Sequence, residues 1–221
     1  MEFILDTANV EEIKKLTQLL CVSGVTTNPA IIAKGGNGLE ETIENILSVL
    51  KEEQSFFIQV VSRDYQKMME EAKYIHSLRK RNIYPKIPVT QEGLKAIKKC
   101  KELGIGVLAT AIYTADQAFM AALNGAEYLA PYVNRMENYG DGIAEVKDLI
   151  QMLRINQIES KVIAASFKNK KQVHELLVSG IDAVTVPPEV AYAMINHPGT
   201  ESAVEDFTEQ WEKAFGRKVL L

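Results

Sequence analysis

The chain alternates between short apolar runs rich in Val, Ile and aromatic residues and longer amphipathic segments, most of which end at a glycine. This alternation is typical of β-strands followed by α-helices, the repeating unit of parallel α/β proteins. Eight apolar runs predict eight strands, at residues 3–8 (FILDTA), 24–28 (GVTTN), 56–61 (FFIQVV), 83–89 (IYPKIPV), 106–113 (GVLATAIY), 127–133 (EYLAPYV), 161–167 (KVIAASF) and 183–188 (AVTVPP).

Capping residues stand where the amphipathic segments begin and end. Three polar pairs have the spacing of a capping box or a close variant, which predicts helix starts at Asn9 with Glu12, Thr114 with Gln117, and Asn169 with Gln172. Glycine adopts the left-handed conformation of a helix end without steric cost, and predicted ends are at Gly104, Gly125 and Gly180.

Eight βα units fit a closed parallel barrel, although a doubly wound open sheet has the same local rhythm. An open sheet usually carries a glycine-rich phosphate-binding turn after its first strand, and LDTANVEE contains no glycine. The sequence therefore favours a single (β/α)8 TIM barrel, an α/β fold, as one domain over residues 1–221.

A further amphipathic helix is predicted at residues 202–215, after the eighth unit. Val204, Phe207, Trp211 and Phe215 form its apolar face, and Gly216 ends it. Two alternatives account for this face: the helix packs across the bottom of the barrel, or it docks on a neighbouring subunit.

Charge and composition narrow the class of partner. Lys and Arg number 25 against 29 Asp and Glu, the net charge is −4, and no clustered basic run is present, so a nucleic-acid partner is not expected. No apolar run approaches the roughly 20 residues that span a bilayer, and the N-terminal stretch lacks a secretory signal. We expect a soluble cytoplasmic protein without a membrane partner.

The cysteines and histidines do not predict a metal site. Cys21 and Cys100 match no CxxC spacing, and His76, His174 and His197 lack the spacings that place two imidazoles on one ion. We therefore expect no metal.

Polar residues stand late in seven of the eight apolar runs, where a barrel of this kind has its active site. Each one alone has a structural alternative, but buried polar groups cost free energy unless they are paired, so the set favours a polyol-binding site. The residues are Asp6, Thr26, Thr27, Asn28, Gln59, Lys86, Thr110, Tyr132, Asn134, Arg135 and Ser166.

Lys86 is the most informative of these, because apolar residues and prolines flank it within a predicted strand. Burial lowers the pKa of an amine from about 10.4 and frees the nucleophile, which suits imine formation with a ketone. The alternative is a structural lysine paired with a carboxylate, for which Asp6 is the candidate. Pro85 is unexpected in either case, because proline removes a hydrogen-bond donor from a central strand.

Arg135 follows a predicted strand end, where a guanidinium can bind phosphate through two hydrogen bonds with the Ser166 hydroxyl as a second donor. The alternative for Arg135 is a surface ion pair. The two residues together predict a phosphate clamp.

Five strings, LDTANVEEI, GVTTNPAII, KIPVTQEGLKAIK, APYVNR and AASFKN, resemble the small transaldolase family, in particular its fructose-6-phosphate aldolase branch. The resemblance runs nearly end to end. It implies a class I aldolase in which Lys86 forms an imine with C2 of a ketose and needs no metal or organic cofactor. Fructose 6-phosphate would be cleaved to dihydroxyacetone and glyceraldehyde 3-phosphate.

The resemblance also implies residue roles. Thr26 would contribute to substrate binding, Asp6 and Asn28 would hold donor hydroxyls, and Arg135 and Ser166 would hold the phosphate. Gln59, Thr110 and Tyr132 would hold a proton-relaying water. True transaldolases look to have Glu in place of Gln59 and Phe in place of Tyr132, so this chain resembles the aldolases. Family members are typically ring-built homo-oligomers, often decamers of two pentameric rings.

Three alternatives to the aldolase remain open. The first is a transaldolase of the pentose phosphate pathway, which passes the dihydroxyacetone unit to an acceptor. The second is a barrel that binds a sugar phosphate without turnover, and the third is a phosphosugar isomerase or epimerase. Retention of Lys86 argues against the second, and the third usually requires a carboxylate pair or a metal.

Overall fold

The computed structural model describes residues 1–35 and 38–221. Its eight strands follow the eight predicted apolar runs in order. They are β1 (Glu2–Asp6), β2 (Gly24–Thr26), β3 (Ser55–Gln59), β4 (Ile83–Pro88), β5 (Leu108–Ile112), β6 (Tyr128–Pro131), β7 (Lys161–Ala164) and β8 (Ala183–Val186).

Helices lie between and after the strands. They are α1 (Val10–Leu19), α2 (Pro29–Lys34), α3 (Leu39–Val49), α4 (Tyr65–Ser77), α5 (Gln91–Glu102), α6 (Ala115–Leu123), α7 (Val133–Met136), α8 (Gly142–Ile155), α9 (Lys170–Val178), α10 (Pro188–Ile195) and α11 (Pro198–Phe215).

The sheet closes on itself. Each strand pairs in parallel with the next, and β1 pairs with both β2 and β8, with Ile4 opposite Gly24 on one side and Thr185 on the other. The open-sheet alternative would leave β1 or β8 with a free edge. The predicted α/β TIM barrel with an additional C-terminal helix is therefore confirmed.

The predicted strands run past the observed ones at their C-terminal ends. The run at 127–133, for example, contains β6 only to Pro131, and Tyr132 and Arg135 belong to the N-cap and body of the short helix α7. Apolar residues with high β-propensity follow several strands, for example Val60 after β3 and Val89 after β4, so the apolar pattern does not mark where the pairing ends.

Three predicted helix starts have the expected N-cap hydrogen bonds. Asn9, Thr114 and Asn169 each accept from backbone N–H groups of the first helical turn. The second hydrogen bond of a capping box, from the N-cap N–H to the side chain three residues later, is different here. The Gln117 side chain accepts from the N–H of Tyr113, one residue before the cap. Glycines with φ of +71°, +94° and +75° follow or end three helices as predicted, at Gly104, Gly125 and Gly180.

The apolar face of α11 is not packed on the barrel. Val204, Phe207 and Phe215 are 58%, 67% and 62% exposed, and Gly216 ends the helix at φ +66°. The first alternative for this helix, packing across the barrel bottom, is therefore wrong. Across the described residues, none of the helices has the combination of length and apolarity that crossing a bilayer requires.

The barrel interior is filled in layers, because successive inward-facing residues on a strand are two positions apart, and two of these layers bear on the site. The lower layer is apolar and aromatic. Phe57 stacks on Tyr84 with ring centroids 5.0 Å apart, and Tyr128 meets both rings edge-on at 5.3 and 5.1 Å. The upper layer, at the C-terminal ends of the strands, is polar.

Candidate active site

The side chains predicted from the strand ends converge at the C-terminal end of the barrel. A cavity of about 310 Å³ opens there. Of the nine residues to which the family resemblance gives a role, Thr26 and Thr110 lie behind the cavity and bond to residues that line it. The seven that line it are Asp6, Asn28, Gln59, Lys86, Tyr132, Arg135 and Ser166.

Lys86 points from β4 into the barrel and is 4% exposed. Its Nζ donates to the backbone carbonyl of Thr27 at 2.8 Å. Burial lowers the pKa of Lys86, and the charge of Asp6 opposes that shift. Within the described residues, none of the ion pairs includes Lys86, so Asp6 acts on its charge without a direct ion pair.

Pro85 fits into β4 without the loss of a hydrogen bond. The N–H of Val60 donates to the Lys86 carbonyl at 3.0 Å, and the N–H of Val89 donates to a carbonyl of β5 at 2.9 Å. The backbone N–H and C=O groups of even-numbered residues in this segment therefore face β3. Those of odd-numbered residues, which include Pro85, face β5. Pairing between β4 and β5 begins at Lys86 and Leu108, one residue after Pro85. The proline nitrogen thus lies where the ladder has not begun.

Asp6 lies at the end of β1, where its carboxylate accepts a hydrogen bond from the Thr26 hydroxyl at 2.8 Å. The Thr26 hydroxyl in turn lies 2.6 Å from that of Thr185 on β8. Burial raises the pKa of Asp6, while the nearby Lys86 charge, the Thr26 hydrogen bond and Arg135 act in the opposite direction.

A phenol, a hydroxyl and a guanidinium meet on the far side of the cavity. The Tyr132 and Thr110 hydroxyl oxygens are 3.0 Å apart, and Arg135 Cζ lies 4.8 Å from the centroid of the Tyr132 ring. Burial raises the pKa of Tyr132, so the phenol stays protonated and can donate. The contact with the ring holds Arg135 beside the cavity although its side chain is exposed.

Two amide side chains present unpaired groups to this cavity. The buried Oε1 of Gln59 has no donor among the described residues. Asn28 uses its Oδ1 to cap α2, accepting from the N–H of Ile31 at 3.0 Å, so its Nδ2 is the group left to donate to a ligand. Gln59 offers an acceptor and Asn28 a donor.

Two residues at the site have left-handed backbones although they carry side chains. Ser166 has φ of +61°, and Ala111, next to Thr110, has φ of +55° at a register shift between β5 and β6. Such conformations cost free energy and occur often at functional sites. Neither conformation is predictable from the sequence, since neither residue is glycine.

A sequence profile described as transaldolase/fructose-6-phosphate aldolase matches residues 3–220. The chain belongs to this family. The family comprises enzymes, and the match supports activity of the transaldolase or aldolase type without separating the two. The family resemblance drawn from the sequence is confirmed over nearly the whole chain.

A solved structure with a similar fold is the L230A mutant of flavocytochrome b2 with benzoylformate. It is 14% identical to this chain, with a TM-score of 0.57. The match covers 98% of this chain, which spans 65% of the length of that one. At this identity the likeness shows the barrel fold alone.

The arrangement found in this member of the transaldolase/fructose-6-phosphate aldolase family combines a nucleophile with proton donors and acceptors. In residues 1–35 and 38–221, no three His, Cys, Asp or Glu side chains converge as metal ligands would. The groups available for chemistry are one buried amine, one carboxylate, three hydroxyls, a phenol, two amides and a guanidinium.

The eighth strand also contributes a polar side chain to the site, which the sequence analysis missed. Thr185 stands in the run AVTV and is 2% exposed, pointing inward between two valines that face the helices. Strand alternation was the available signal, because Ala183 and Thr185 share the inward face. A threonine in a β-strand is common enough that its type alone carried no weight.

Larger cavities adjoin the central one on both sides. One of about 850 Å³ shares Asp6 and lies among β1, α2 and α10, and one of about 560 Å³ shares Gln59. Lys86 lines neither of them, so the smaller central cavity is the candidate active site.

Proposed function

We propose that this chain is a class I aldolase that cleaves fructose 6-phosphate to dihydroxyacetone and glyceraldehyde 3-phosphate, and forms it from them. The observation that carries the proposal is Lys86, a buried amine without an ion-pair partner in the described residues, in a cavity lined by polar groups. Burial favours the neutral amine that attacks a carbonyl. We further propose that residues 1–221 act as one catalytic domain.

In the first step, Lys86 Nζ attacks C2 of the open-chain ketose, and the C2 oxygen leaves as water after two proton transfers. The C3–C4 bond then breaks as a base takes the proton of the C4 hydroxyl. The electron pair of the C3–C4 bond passes into the iminium and gives an enamine on Lys86. Glyceraldehyde 3-phosphate then leaves. Protonation at C3 and addition of water to the iminium release dihydroxyacetone and restore the amine.

The other residues have roles that their contacts support. Asp6 and Asn28 present an acceptor and a donor for the hydroxyls of the dihydroxyacetone unit, with Thr26 behind Asp6. Arg135 and Ser166 on the cavity wall would bind the phosphate.

Proton transfer would use a water held by Gln59, Thr110 and Tyr132. The Gln59 oxygen lacks a protein donor among the described residues, and the phenol shares a hydrogen bond with Thr110. These three groups offer both acceptors and donors to one water molecule.

The second candidate is a transaldolase, which would pass the enamine to a second aldehyde instead of protonating it. A neutral amide at Gln59 and a phenol at Tyr132 favour the aldolase, because the sequence resemblance gives transaldolases a carboxylate and a phenylalanine there. A barrel that only binds sugar phosphates would not need a buried amine that has no ion-pair partner among the described residues.

Product analysis tests this proposal. The wild type is incubated with fructose 6-phosphate, with and without erythrose 4-phosphate, and the products are identified by NMR. We expect free dihydroxyacetone without an acceptor, at a rate that the acceptor does not raise. Lys99→Met, on the exposed face of α5, serves as the lysine control and keeps the activity. Turnover only with the acceptor would establish the transaldolase instead.

We also propose that the protein is a homo-oligomer, with a decamer of two pentameric rings as the form that the family resemblance implies. The exposed apolar face of α11 supports this, because soluble chains rarely leave such a surface uncovered. Analytical ultracentrifugation of the wild type and of Phe207→Glu tests it, and a monomeric wild type would contradict it. Cytoplasmic location and the absence of nucleic-acid partners stay predictions.

A further inference from the structure

Two buried threonine hydroxyls connect the eighth strand to Asp6. Thr26 and Thr185 are 1% and 2% exposed, and their Oγ1 atoms are 2.6 Å apart. The same Thr26 oxygen lies 2.8 Å from Asp6 Oδ1. The strands involved, β8, β1 and β2, are neighbours in the barrel, so this chain of hydroxyls spans three strands.

The direction of the chain follows from the number of protons. A hydroxyl has one proton to donate, and an ionised carboxylate only accepts. When Thr26 donates to Asp6, its proton is committed, so Thr185 must donate to Thr26. A donor behind Thr26 polarises its hydroxyl and strengthens the bond to the carboxylate, since hydrogen bonds in a chain reinforce each other.

We propose that Thr185 is a positioning residue, which acts through Thr26 to hold the Asp6 carboxylate as an acceptor aimed at the reacting sugar. Thr185 does not line the cavity. Its catalytic consequence rests on the function proposed above, but its effect on Asp6 does not.

Burial and nearby charges shift the pKa of Asp6, and the hydroxyl chain opposes the rise. Burial raises the pKa of Asp6 and Glu189 on α10 adds to the rise, whereas Lys86 on β4, Thr26 and Arg135 on α7 lower it. The adjoining cavity brings three more charged side chains near this face, Glu11, Lys14 and Lys34. Without the Thr185 hydroxyl, Thr26 is a weaker donor, so the pKa of Asp6 rises further.

Infrared titration of the free enzyme tests the effect on Asp6 directly. The signal of the protonated Asp6 carboxyl is isolated by subtracting the spectrum of Asp6→Asn. We expect the pKa of Asp6 to be higher in Thr185→Val than in the wild type, and Thr185→Ser, which keeps the hydroxyl, to stay near the wild type. If Thr185→Val does not fold, Thr185→Ala against Thr185→Ser makes the same comparison. An unmoved pKa would overturn the proposal.

A double-mutant comparison tests whether Thr185 acts through Thr26. In the Thr26→Val background, Thr185→Val should raise the pKa no further, and an undiminished additional rise would contradict the proposal. The matched control is Thr17→Val, which removes a buried hydroxyl far along α1 that has no partner in the described residues, and it should leave Asp6 unchanged.

Kinetics give the catalytic consequence. We expect kcat/KM to fall about fivefold in Thr185→Val, the worth of one hydrogen bond, with the acidic limb of its pH profile moved to higher pH. A loss of stability with an unmoved limb would indicate a structural role and overturn the proposal. Failure of the proposed function has a different signature. The wild type would then release no dihydroxyacetone, while Thr185→Val would still raise the pKa of Asp6 in the infrared titration.

Discussion

The lower and upper layers of the barrel interior lie on the same strands, two residues apart, and differ in almost every chemical respect. On five of the eight strands, going up one step changes an apolar or aromatic side chain to a polar one. The pairs are Ile4 and Asp6, Phe57 and Gln59, Tyr84 and Lys86, Leu108 and Thr110, and Ala183 and Thr185. Two residues of strand measure about 6.6 Å.

Within one barrel, the lower layer contributes stability and the upper layer contributes the reactive groups. The lower layer stabilises the fold by burying aromatic surface in mutual contact. The upper layer holds a buried amine, a carboxylate and an acceptor without a donor in the described residues, each of which costs free energy. Substitutions in the lower layer should therefore affect unfolding, and substitutions in the upper layer should affect turnover.

The largest effect on turnover is expected for Lys86→Met. Methionine fills the volume of the stem but has no nucleophile, so the rate should fall by more than about a thousandfold. The free energy of unfolding should be equal to or higher than that of the wild type, because the buried amine is removed. Thermal melting and the aldol cleavage assay give the two readouts.

An active Lys86→Met enzyme would contradict the mechanism. A Lys86→Met protein much less stable than the wild type would contradict the division between the layers. The exposed Lys99→Met variant checks that loss of a lysine as such changes neither quantity.

The largest effect on stability is expected in the lower layer, for Phe57→Ala. Removing a fully buried ring that stacks on one tyrosine and meets another should lower the free energy of unfolding by about 3–5 kcal/mol. Denaturant unfolding measures this, and kcat per folded molecule should change far less. A loss of turnover that matches Lys86→Met, in folded protein, would erase the distinction between the layers.

An intermediate effect is expected for Arg135→Ala in the upper region. Loss of charged hydrogen bonds to a phosphate, worth about 1.5–3 kcal/mol, should lower kcat/KM for glyceraldehyde 3-phosphate by roughly 10- to 150-fold. For glyceraldehyde without the phosphate the two enzymes should be similar. An equal loss with both aldehydes would assign Arg135 to the support of Tyr132 and not to the clamp.

Much of this arrangement is predictable, because the apolar pattern of the sequence indicates the order of the strands and roughly where each one ends. All eight strands and the convergence of nine side chains at the strand ends follow from that pattern, and three helix starts follow from their capping residues. Thr185, the left-handed Ala111 and Ser166 and the fit of Pro85 do not, since they depend on which neighbour a backbone group or hydroxyl meets across the barrel. The sequence left two positions open for α11, because the same apolar face could pack on the barrel or on a second subunit.

The smallest effect is a pH dependence of stability. Burial lowers the pKa of Lys86 in the folded chain, so between that pKa and its ordinary value of about 10.4 the unfolded chain binds more protons. Stability that depends on Lys86 therefore rises with pH across this window. The stability advantage of Lys86→Met over the wild type should shrink as the pH is raised. An advantage that grows would mean that the folded pKa is raised.

Borohydride trapping tests most directly whether Lys86 is the imine-forming nucleophile. The protein is incubated with dihydroxyacetone or fructose 6-phosphate, treated with borohydride, digested and examined by peptide mass spectrometry. We expect one reduced adduct, on Lys86, that is absent from Lys86→Met. A folded wild type that binds the sugar and carries no adduct on Lys86 would contradict it.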